Sequence, residues 1–399
     1  MATFGALMVG SYVAWNTAGF WQVPGIWPVS LAIGGAVLGG KAWLQRRVVS
    51  TPWERLRAVT AWVVAVYLCL GVYLLMVRSP YSRSFLLSSF VSLLLWQIVD
   101  ALLISRAQRP ARLAVVPGGA LEPMSTLPGV ELYWLRRPEL ETPVSGLVVD
   151  MHNPLPPEWT RFVAECAASG LPVYHAAAVY EAASSRVALS YLSHGLVGEL
   201  FNGSSPYMAV KRLIDIACVL LSLPITLPIA LITTIAIRLD SPGPVLFWQK
   251  RVGQGGRVFW LVKFRSMYTD SERNGARFAA AGDDRITRVG RVIRKLRIDE
   301  LPQLWNVFKG EMSLIGPRPE QVPFVREFEE KIPFYRWRHR VKPGITGWAQ
   351  VNQGYAAGVQ DTMEKLEYDL YYIKHASIWL DLAIIVRTIR VMLTGHGAR

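Results

Sequence analysis

The sequence predicts a membrane-bound α/β protein. Its three expected parts are a four-helix transmembrane bundle, a small Rossmann-like α/β domain, and a third domain with a re-entrant membrane helix and interfacial amphipathic helices. Long apolar runs fill the first hundred residues, short apolar strands alternate with a helix in the middle, and a proline-broken apolar segment opens a basic third part. The predicted boundaries are 1–108, 109–205 and 206–399, with the re-entrant helix over 211–238.

The composition suits a membrane surface. Of the 399 residues, 52% are hydrophobic and 18% are charged, yet the formal net charge is +14. An average soluble protein has about 25% charged residues. A chain that is both apolar and basic fits an anionic bilayer surface or a polyanionic ligand, whereas nucleic-acid binding fits the charge only. The three isolated cysteines and six scattered histidines predict neither a disulfide framework nor structural zinc.

Four apolar runs predict the transmembrane bundle, because each is close to the ~20 residues of a spanning helix. They read "FGALMVGSYVAWNTAGFW", "WPVSLAIGGAVLGGKAWL", "VTAWVVAVYLCLGVYLLMV" and "SFLLSSFVSLLLWQIVDALLI". The central loop carries five cations, which are Lys41, Arg46, Arg47, Arg55 and Arg57. The positive-inside rule therefore places this loop, both ends of the bundle and the rest of the chain in the cytoplasm. A signal peptide is not expected, since no basic n-region or AxA site precedes the first run.

The middle part predicts a small α/β domain with a parallel sheet. The strands "RLAVVPGG", "VELYWL" and "SGLVVDM" precede the stretch "PEWTRFVAECAASGLPVYH", which predicts a helix that runs into another strand. Gly118 and Gly119 follow a strand, but no GxGxxG is present, so a bound dinucleotide is not expected. A structural or regulatory role is predicted for this domain.

The segment Leu213–Ile237 is apolar and would reach ~37 Å as a straight helix, which is enough to span a bilayer. Pro224 and Pro228 interrupt it, and each removes a backbone donor and favours a kink. Both flanks are basic, so a spanning helix would have to export one of them. A helix that enters, bends and returns keeps both inside. The sequence favours this re-entrant helix, with an ordinary fifth spanning helix as the alternative.

Two further patterns describe the rest of the basic part. The stretch "PGPVLFWQKRVGQGGRVFWLVKFRSM" predicts a two-stranded hairpin with a GQGG turn. Ile286–Leu296 predicts a helix whose arginines, spaced three residues apart, spread around its surface. Such a helix suits the membrane interface, and "SIWLDLAIIVRTIRVML" predicts another near the end of the chain.

Asp299 and Glu300 stand side by side after a run with an arginine at every third residue, which comprises Arg285, Arg288, Arg291, Arg294 and Arg297. Taken alone, "DELPQLWNV" predicts a helix start capped by Asp299, with Pro302 in the first turn. The basic context also predicts a phosphate site, because arginine neighbours lower the pKa of a carboxylate and keep it ionised. An ionised carboxylate can hold a divalent metal or attack phosphorus.

Four blocks carry a resemblance to a known family. They are "KRLIDIACVLLSLPITLPIALITTIAIRLDSPGPVLFWQKRVG", "KFRSM", "RIDELPQLWNVFKGEMSLIGPRP" and "VKPGITGWAQVN". Over Tyr207–Arg399 the chain resembles the bacterial sugar transferases, the polyprenyl-phosphate sugar-1-phosphate transferases of the monotopic phosphoglycosyl transferase superfamily. The parts before Tyr207 resemble the longer members, such as undecaprenyl-phosphate galactose or glucose phosphotransferases.

The resemblance implies a two-step reaction on the cytoplasmic face of a bacterial inner membrane. Asp299 would attack the β-phosphate of a UDP-sugar, release UMP and hold the sugar-phosphate covalently. Undecaprenyl phosphate would then accept it, as the first step of exopolysaccharide, capsule or O-antigen synthesis. Asp299 and Glu300 would hold Mg²⁺, and Pro228, with Pro224 nearby, would mark the break in the membrane helix. The implied phosphate-binding residues are Lys263, Arg265, Arg294, Arg297 and Arg318.

The chain departs from the family pattern in two places. Leu227 stands where the family often has serine, which puts a hydrogen bond across the helix break in doubt. After "GWAQVN", Gln353–Gly354–Tyr355 replaces the frequent Gly-Arg, so an arginine expected near the substrate is absent. The sequence therefore leaves the sugar open between glucose, galactose and an N-acetylated sugar.

Two other classes of function stay open at this stage. One is a non-catalytic membrane scaffold or regulator of a polysaccharide assembly complex. The other is a nucleic-acid-binding membrane protein, which the placement of aromatic residues within apolar runs argues against. Because symmetric dimers are the commonest assembly, a homodimer in contact with membrane lipid is expected, with no nucleic acid.

Overall fold

The computed structural model describes most of the chain. The described residues are 2–16, scattered positions between 27 and 39, 52–77, 82–107, 111–192 with short gaps, 206–269, 283–353 and 358–394. Two compact units are present, Met1–Ser185 and Arg186–Arg399. The predicted division into three domains stays a prediction.

The first unit begins with apolar helices, which are α1 (Ala2–Trp15), α2 (Pro52–Val77) and α3 (Arg83–Ala107). Leu70, Leu93 and Ile33 belong to one buried apolar cluster between them. Two stretches, Arg55–Met76 and Arg83–Asp100, are long and apolar enough to cross a membrane. Lys41, Arg46 and Arg47 of the predicted cytoplasmic loop lie outside the described residues, so the four-helix bundle stays a prediction.

The predicted parallel sheet of the first unit is confirmed. It comprises β1 (Ala111–Val115), β2 (Val130–Trp134), β3 (Gly146–Val149) and β4 (Val173–His175), in the order β2-β1-β3-β4. All three pairings are parallel. The predicted helix is α4 (Pro157–Ala168), and α5 (Ala176–Ser184) follows β4. β3 is buried along its whole length, as expected for a central strand of a parallel sheet.

Three side chains of metal-ligand type meet where β3 and β4 end, and sequence spacing gave no sign of this. Asp150, His152 and His175 lie within 4.8 Å of one another. His175 Nδ1 accepts the Ala177 N–H at 2.9 Å, so its proton resides on Nε2, which lies 2.6 Å from His152 Nδ1. A metal at Nε2 would need that proton on Nδ1 and would break the helix cap. The arrangement therefore fits a hydrogen-bonded histidine pair better than a metal site.

The second unit contains a short 3₁₀ turn (Leu189–Tyr191), the long helix α6 (Pro206–Asp240) and the antiparallel strands β5 (Leu246–Val252) and β6 (Val258–Phe264). The predicted hairpin is thus confirmed. The predicted arginine-rich helix is α7 (Arg288–Lys295), which Thr287 caps. The remaining elements are α8 (Gln303–Lys309), β7 (Ser313–Ile315), α9 (Val322–Lys331), β8 (Gly344–Thr346), α10 (Trp348–Asn352), α11 (Val359–His375) and α12 (Ile378–Thr394). β7 and β8 pair in parallel.

Polar contacts tie both ends of α6 to other elements of the second unit. The helix continues through both prolines. Near its start, Arg212 donates to the Val307 carbonyl at 2.6 Å, and Lys211 lies 2.6 Å from Asp381 of α12. At its end, Asp240 accepts the Val289 N–H at 3.0 Å. The apolar side chains of its middle are exposed, and these are Leu220, Leu221, Ile225, Leu227, Leu231, Ile232 and Ile235.

Candidate active site

The acidic pair occupies a single 3₁₀ turn, Ile298–Glu300, between α7 and α8. Ile298 and Leu301 flank the pair and pack against a buried apolar cluster that contains Ile237 of α6. Arg297, just before the turn, has a left-handed φ of 57°. That conformation costs a non-glycine residue roughly 1–2 kcal/mol. The turn is therefore held in place by apolar anchors on both sides of the carboxylates.

Asp299 does not cap a helix. α8 begins at Gln303, Pro302 occupies the N-cap position, and no side chain caps it. Oδ1 of Asp299 is buried and accepts no hydrogen bond from any residue that the structure describes. The alternative in which Asp299 is only a helix cap is therefore wrong.

Glu300 is buried and paired with arginines. Both terminal nitrogens of Arg318 donate to Oε1 at 3.2 Å, and Arg297 reaches the same oxygen at 3.4 Å. Burial alone would raise the pKa of Glu300, but Arg318 and then Arg297 outweigh it, so that pKa lies below its ordinary value. The expectation that arginines keep a carboxylate ionised is confirmed for Glu300.

For Asp299 the expectation of a lowered pKa is wrong. Burial, and then the negative charge of Glu300, raise the pKa of Asp299 to about 6 despite Lys263, Arg297 and Arg294. The arginines are present as predicted, but they contact Glu300 and leave Asp299 next to a like charge. A carboxylate with this pKa is still about nine-tenths ionised at pH 7. Asp299 is thus an ionised and poorly stabilised carboxylate, which suits a nucleophile.

Lys263 belongs to the same site. It lies on β6 opposite Phe247 of β5, with its ammonium 5.0 Å from the Phe247 ring centroid. Burial, and then Arg251, lower the pKa of Lys263 to about 8, while Asp299 acts in the opposite direction. Arg294 is near enough to influence the titration of both Asp299 and Lys263. The structure therefore brings Lys263, Arg294, Arg297 and Arg318 together around the acidic pair.

Arg265 has other partners. Its guanidinium is buried and donates to the Ser241 carbonyl at 2.7 Å, to Ser241 Oγ at 2.8 Å and to the Pro242 carbonyl at 2.9 Å. These bonds hold the loop that follows α6. Phosphate binding by Arg265 stays a prediction, and its contacts indicate a structural use.

A second ionic cluster beside the site escaped the sequence analysis. Glu320 directly follows the Pro317–Arg318–Pro319 segment and accepts a hydrogen bond from Lys365 of α11. Arg251 lies 3.7 Å from Glu320. Burial would raise the pKa of Glu320, but Lys365 and other cations lower it to about 2. Glu320 follows the "GPRP" block in the sequence, but its partners come from distant strands and helices, so no local pattern could reveal them.

The carboxylates of the acidic pair are suited to a divalent cation. Oδ1 of Asp299 is buried without a hydrogen-bond donor among the described residues, and oxygen ligands of this type are those that Mg²⁺ prefers. Oε1 of Glu300 accepts hydrogen bonds from Arg318 and Arg297, and none of the described residues donates to Oε2, which is therefore available to a ligand. The residues present therefore fit the predicted ion, which stays a prediction.

The chain is similar to a known family and to several named proteins. A family model described as bacterial sugar transferase matches residues 206–395. A UDP-N-acetylgalactosamine-undecaprenyl-phosphate N-acetylgalactosaminephosphotransferase of Aeromonas hydrophila is 47% identical over 341 residues, which cover 84% of this chain and 80% of that protein. A UDP-glucose:undecaprenyl-phosphate glucose-1-phosphate transferase of Caulobacter vibrioides is 41% identical over 49% of this chain and 75% of its own length. An undecaprenyl-phosphate glucose phosphotransferase of Komagataeibacter xylinus is 48% identical over 48% of this chain and 37% of its own length.

Proposed function

Because the chain belongs to the bacterial sugar transferase family, we propose that it is a membrane enzyme that moves a sugar-1-phosphate from a UDP-sugar to undecaprenyl phosphate. The reaction proceeds through a covalent intermediate on Asp299 and releases UMP. It starts the synthesis of a surface polysaccharide, such as an exopolysaccharide, a capsule or an O-antigen, at the cytoplasmic face of the bacterial inner membrane.

The observation that carries this proposal is the state of Asp299. Its Oδ1 is buried, accepts no hydrogen bond from the described residues, and belongs to a carboxyl whose pKa is raised to about 6. A structural carboxylate in such a place would be bridged by donors. An unbridged carboxylate beside four cations instead fits a nucleophile whose reaction partner carries negative charge.

In the first step, an oxygen of Asp299 attacks the phosphorus that bears the sugar. The bond from that phosphorus to the bridging oxygen breaks, and UMP leaves with the oxygen and the electron pair. The sugar-phosphate becomes an acyl phosphate on Asp299. Lys263, protonated below a pKa of about 8, and Arg318 supply positive charge for the phosphate oxygens.

In the second step, a phosphate oxygen of undecaprenyl phosphate attacks the same phosphorus. The bond to Asp299 breaks, the carboxylate is regenerated, and the lipid diphosphate sugar is formed. No proton has to move in either step, because both the nucleophiles and the leaving groups are anions. Mg²⁺, held by Asp299 and Glu300, would supply charge neutralisation when bound.

A re-entrant α6 would bring the lipid to this site. Val219 and Ile237 are separated by ~27 Å in a straight helix, at 1.5 Å per residue. Val219 packs in a cluster with Phe259 and Leu261, and Ile237 in one with Phe264. These partners lie on one strand only ~10–17 Å apart. Pro224 and Pro228 lie between these two packed positions and favour a bend there, which would leave both ends of the helix on the cytoplasmic side.

The test is release of UMP from a panel of UDP-sugars by the full chain in nanodiscs with undecaprenyl phosphate and Mg²⁺. UDP-N-acetylgalactosamine and UDP-glucose come first, because the relatives carry these sugars in their names. We expect one sugar to support release. With that sugar labelled, the wild type without acceptor lipid should retain label after denaturation, and Asp299→Asn should retain none.

The competing function is a non-catalytic scaffold or regulator of a polysaccharide assembly complex. It predicts no UMP release from any UDP-sugar by protein that unfolds cooperatively, and no loss of assembly when Asp299 is replaced by asparagine. Retained label in the Asp299→Asn variant would keep the enzyme but reject Asp299 as the covalent residue.

A further inference from the structure

A short proline-rich strap presents Arg318 to the acidic pair. The strap is Pro317–Glu320, and donors from distant elements bind all four of its backbone carbonyls. Gly344 N–H binds the Pro317 carbonyl at 2.9 Å, and Val252 N–H binds the Glu320 carbonyl at 3.0 Å. The two central carbonyls are bound by side chains. Arg338 donates to the Arg318 carbonyl at 2.9 Å, and Arg251 to the Pro319 carbonyl at 2.8 Å.

The strap depends on these carbonyl contacts more than an ordinary loop would. Pro317 and Pro319 have no N–H group, so the backbone has few donors with which to pair. The strap is also tightly packed, since a Cβ on Gly344 would lie 2.1 Å from the Gly316 nitrogen. The two arginines therefore fix the central peptide from which the Arg318 side chain projects.

Arg338 is itself held rigidly. Its side chain is 1% exposed and lies 2.8 Å from Asp369 of α11. Its Nη1 donates to the Tyr335 hydroxyl at 2.8 Å. A planar guanidinium spreads its donors over three nitrogens and so reaches all three partners at once, whereas the donors of a lysine all radiate from one nitrogen. Arg251 is likewise steadied, with Nε and Nη2 donating to Gln249 Oε1 at 3.0 and 2.6 Å.

We propose that Arg338 and Arg251 are positioning residues for the transfer reaction, which act by holding the two central strap carbonyls so that Arg318 meets Glu300. This inference rests on the proposed function. Neither residue needs to touch the substrate. The physical reason is geometric, because a displacement of about 1 Å at a charge-stabilising group can cost about 100-fold in rate.

The first test is a double-mutant cycle of UMP release in nanodiscs with Arg338→Lys and Arg318→Lys. Arg338→Lys keeps the charge next to Asp369 but removes the fork that also reaches the strap. We expect it to lower kcat/KM about tenfold in the wild-type background and less than twofold in the Arg318→Lys background. An equal loss in both backgrounds would overturn the proposal, because a merely structural role acts in both.

The matched control is Arg336→Lys. Arg336 lies in the same 3₁₀ segment, Tyr335–Arg340, but its side chain is 84% exposed and lies 3.7 Å from Glu329, away from the strap carbonyls. This variant should release UMP at the wild-type rate. Arg251→Lys should behave as Arg338→Lys does, with Arg257→Lys, at an exposed position after the hairpin turn, as its control.

The second test does not depend on turnover, so it separates failure of this inference from failure of the proposed function. Amide hydrogen exchange of Gly344 and Val252 reports on the strap, because both N–H groups bind its carbonyls. We expect about tenfold faster exchange of both amides in Arg338→Lys, and wild-type rates in Arg336→Lys. Unchanged exchange in Arg338→Lys would reject the proposal even in a protein that shows no transferase activity.

Discussion

Asp299 and Glu320 are two half-buried carboxylates of the second unit, and their environments shift their pKa values in opposite directions. The pKa of Asp299 is raised to about 6, first by burial and then by Glu300. The pKa of Glu320 is lowered to about 2, because Lys365 and other cations outweigh burial. Positive charge is plentiful near both. The difference is that Glu320 accepts a hydrogen bond from Lys365, whereas no described residue donates to Asp299 Oδ1.

The comparison shows how the cations are bonded around each carboxylate. Around Glu320 they are paired with a fixed partner and hold the strap. Around Asp299 they are placed close by but bonded elsewhere, as Arg318 and Arg297 are to Glu300. Cations that are not hydrogen-bonded to Asp299 can interact with a bound anion beside it. A structural carboxylate would instead be paired with these cations directly. The five predictions below test this division, from the largest expected effect to the smallest.

The largest effect is expected for Asp299→Asn. It should reduce UMP release by at least about a thousandfold, because an amide cannot act as the nucleophile. The unfolding temperature at pH 7 should not fall, since the variant removes a poorly stabilised buried charge. Loss of both activity and folding would break the comparison, because it would make Asp299 a structural residue like Glu320.

Arg318→Ala should cost about 100-fold or more in kcat/KM, the usual loss when one charge-stabilising donor is removed. It should also destabilise the protein, because Glu300 would lose its main partner while buried. Measurement of UMP release and of the unfolding temperature separates the two effects. Arg326→Ala, at an exposed position of α9, serves as the surface control.

The pH profile of kcat/KM should be bell-shaped. Asp299 must be ionised, so the rate should fall about tenfold per pH unit below about 6. Lys263 must be protonated, so the rate should fall above about 8. In Lys263→Arg the alkaline limb should disappear, because arginine does not titrate in this range. A profile that is flat from pH 5 to 9 would contradict both assignments.

Stability should depend on pH in opposite senses for the two carboxylates. The folded pKa of Asp299 is above its ordinary value of 3.8, so its ionisation costs stability as pH rises from about 4 to 6. The folded pKa of Glu320 is below its ordinary value of 4.5, so its contribution is present above that pH and is lost as pH falls toward about 2. Asp299→Asn should therefore gain in relative stability from pH 4 to 7. Glu320→Gln should be destabilising at pH 7 and approach the wild type in acid, as unfolding temperatures at each pH would show.

The smallest catalytic effect is expected for Arg265→Lys. Its hydrogen bonds all reach Ser241 and Pro242, so the variant should change kcat/KM less than about threefold while lowering stability by about 1 kcal/mol. Kinetics and thermal unfolding of the same preparation measure both. A 100-fold loss of kcat/KM at unchanged stability would instead indicate that Arg265 binds a substrate phosphate.

Local patterns in the sequence predicted much of this architecture. The parallel sheet, the hairpin around the GQGG turn and the helix α7 follow from periodicity and turn residues over short stretches. The acidic pair and four of the five predicted cations come together as expected. The unusual pKa of Asp299 could not be predicted, since it depends on burial. The bond from Lys365 to Glu320 could not be predicted, because the two residues are distant in the chain. The same holds for the bond from the Arg338 side chain to the backbone carbonyl of Arg318.

The exposed middle of α6 has a practical consequence for handling the protein. Its stretch Tyr207–Asp240 is apolar enough for a bilayer, and it belongs to the same compact unit as the acidic pair. Removing the first 185 residues would therefore leave a protein that still requires detergent or lipid for solubility. Membrane residence is built into the unit that carries the acidic pair, and cannot be trimmed away without cutting into its core.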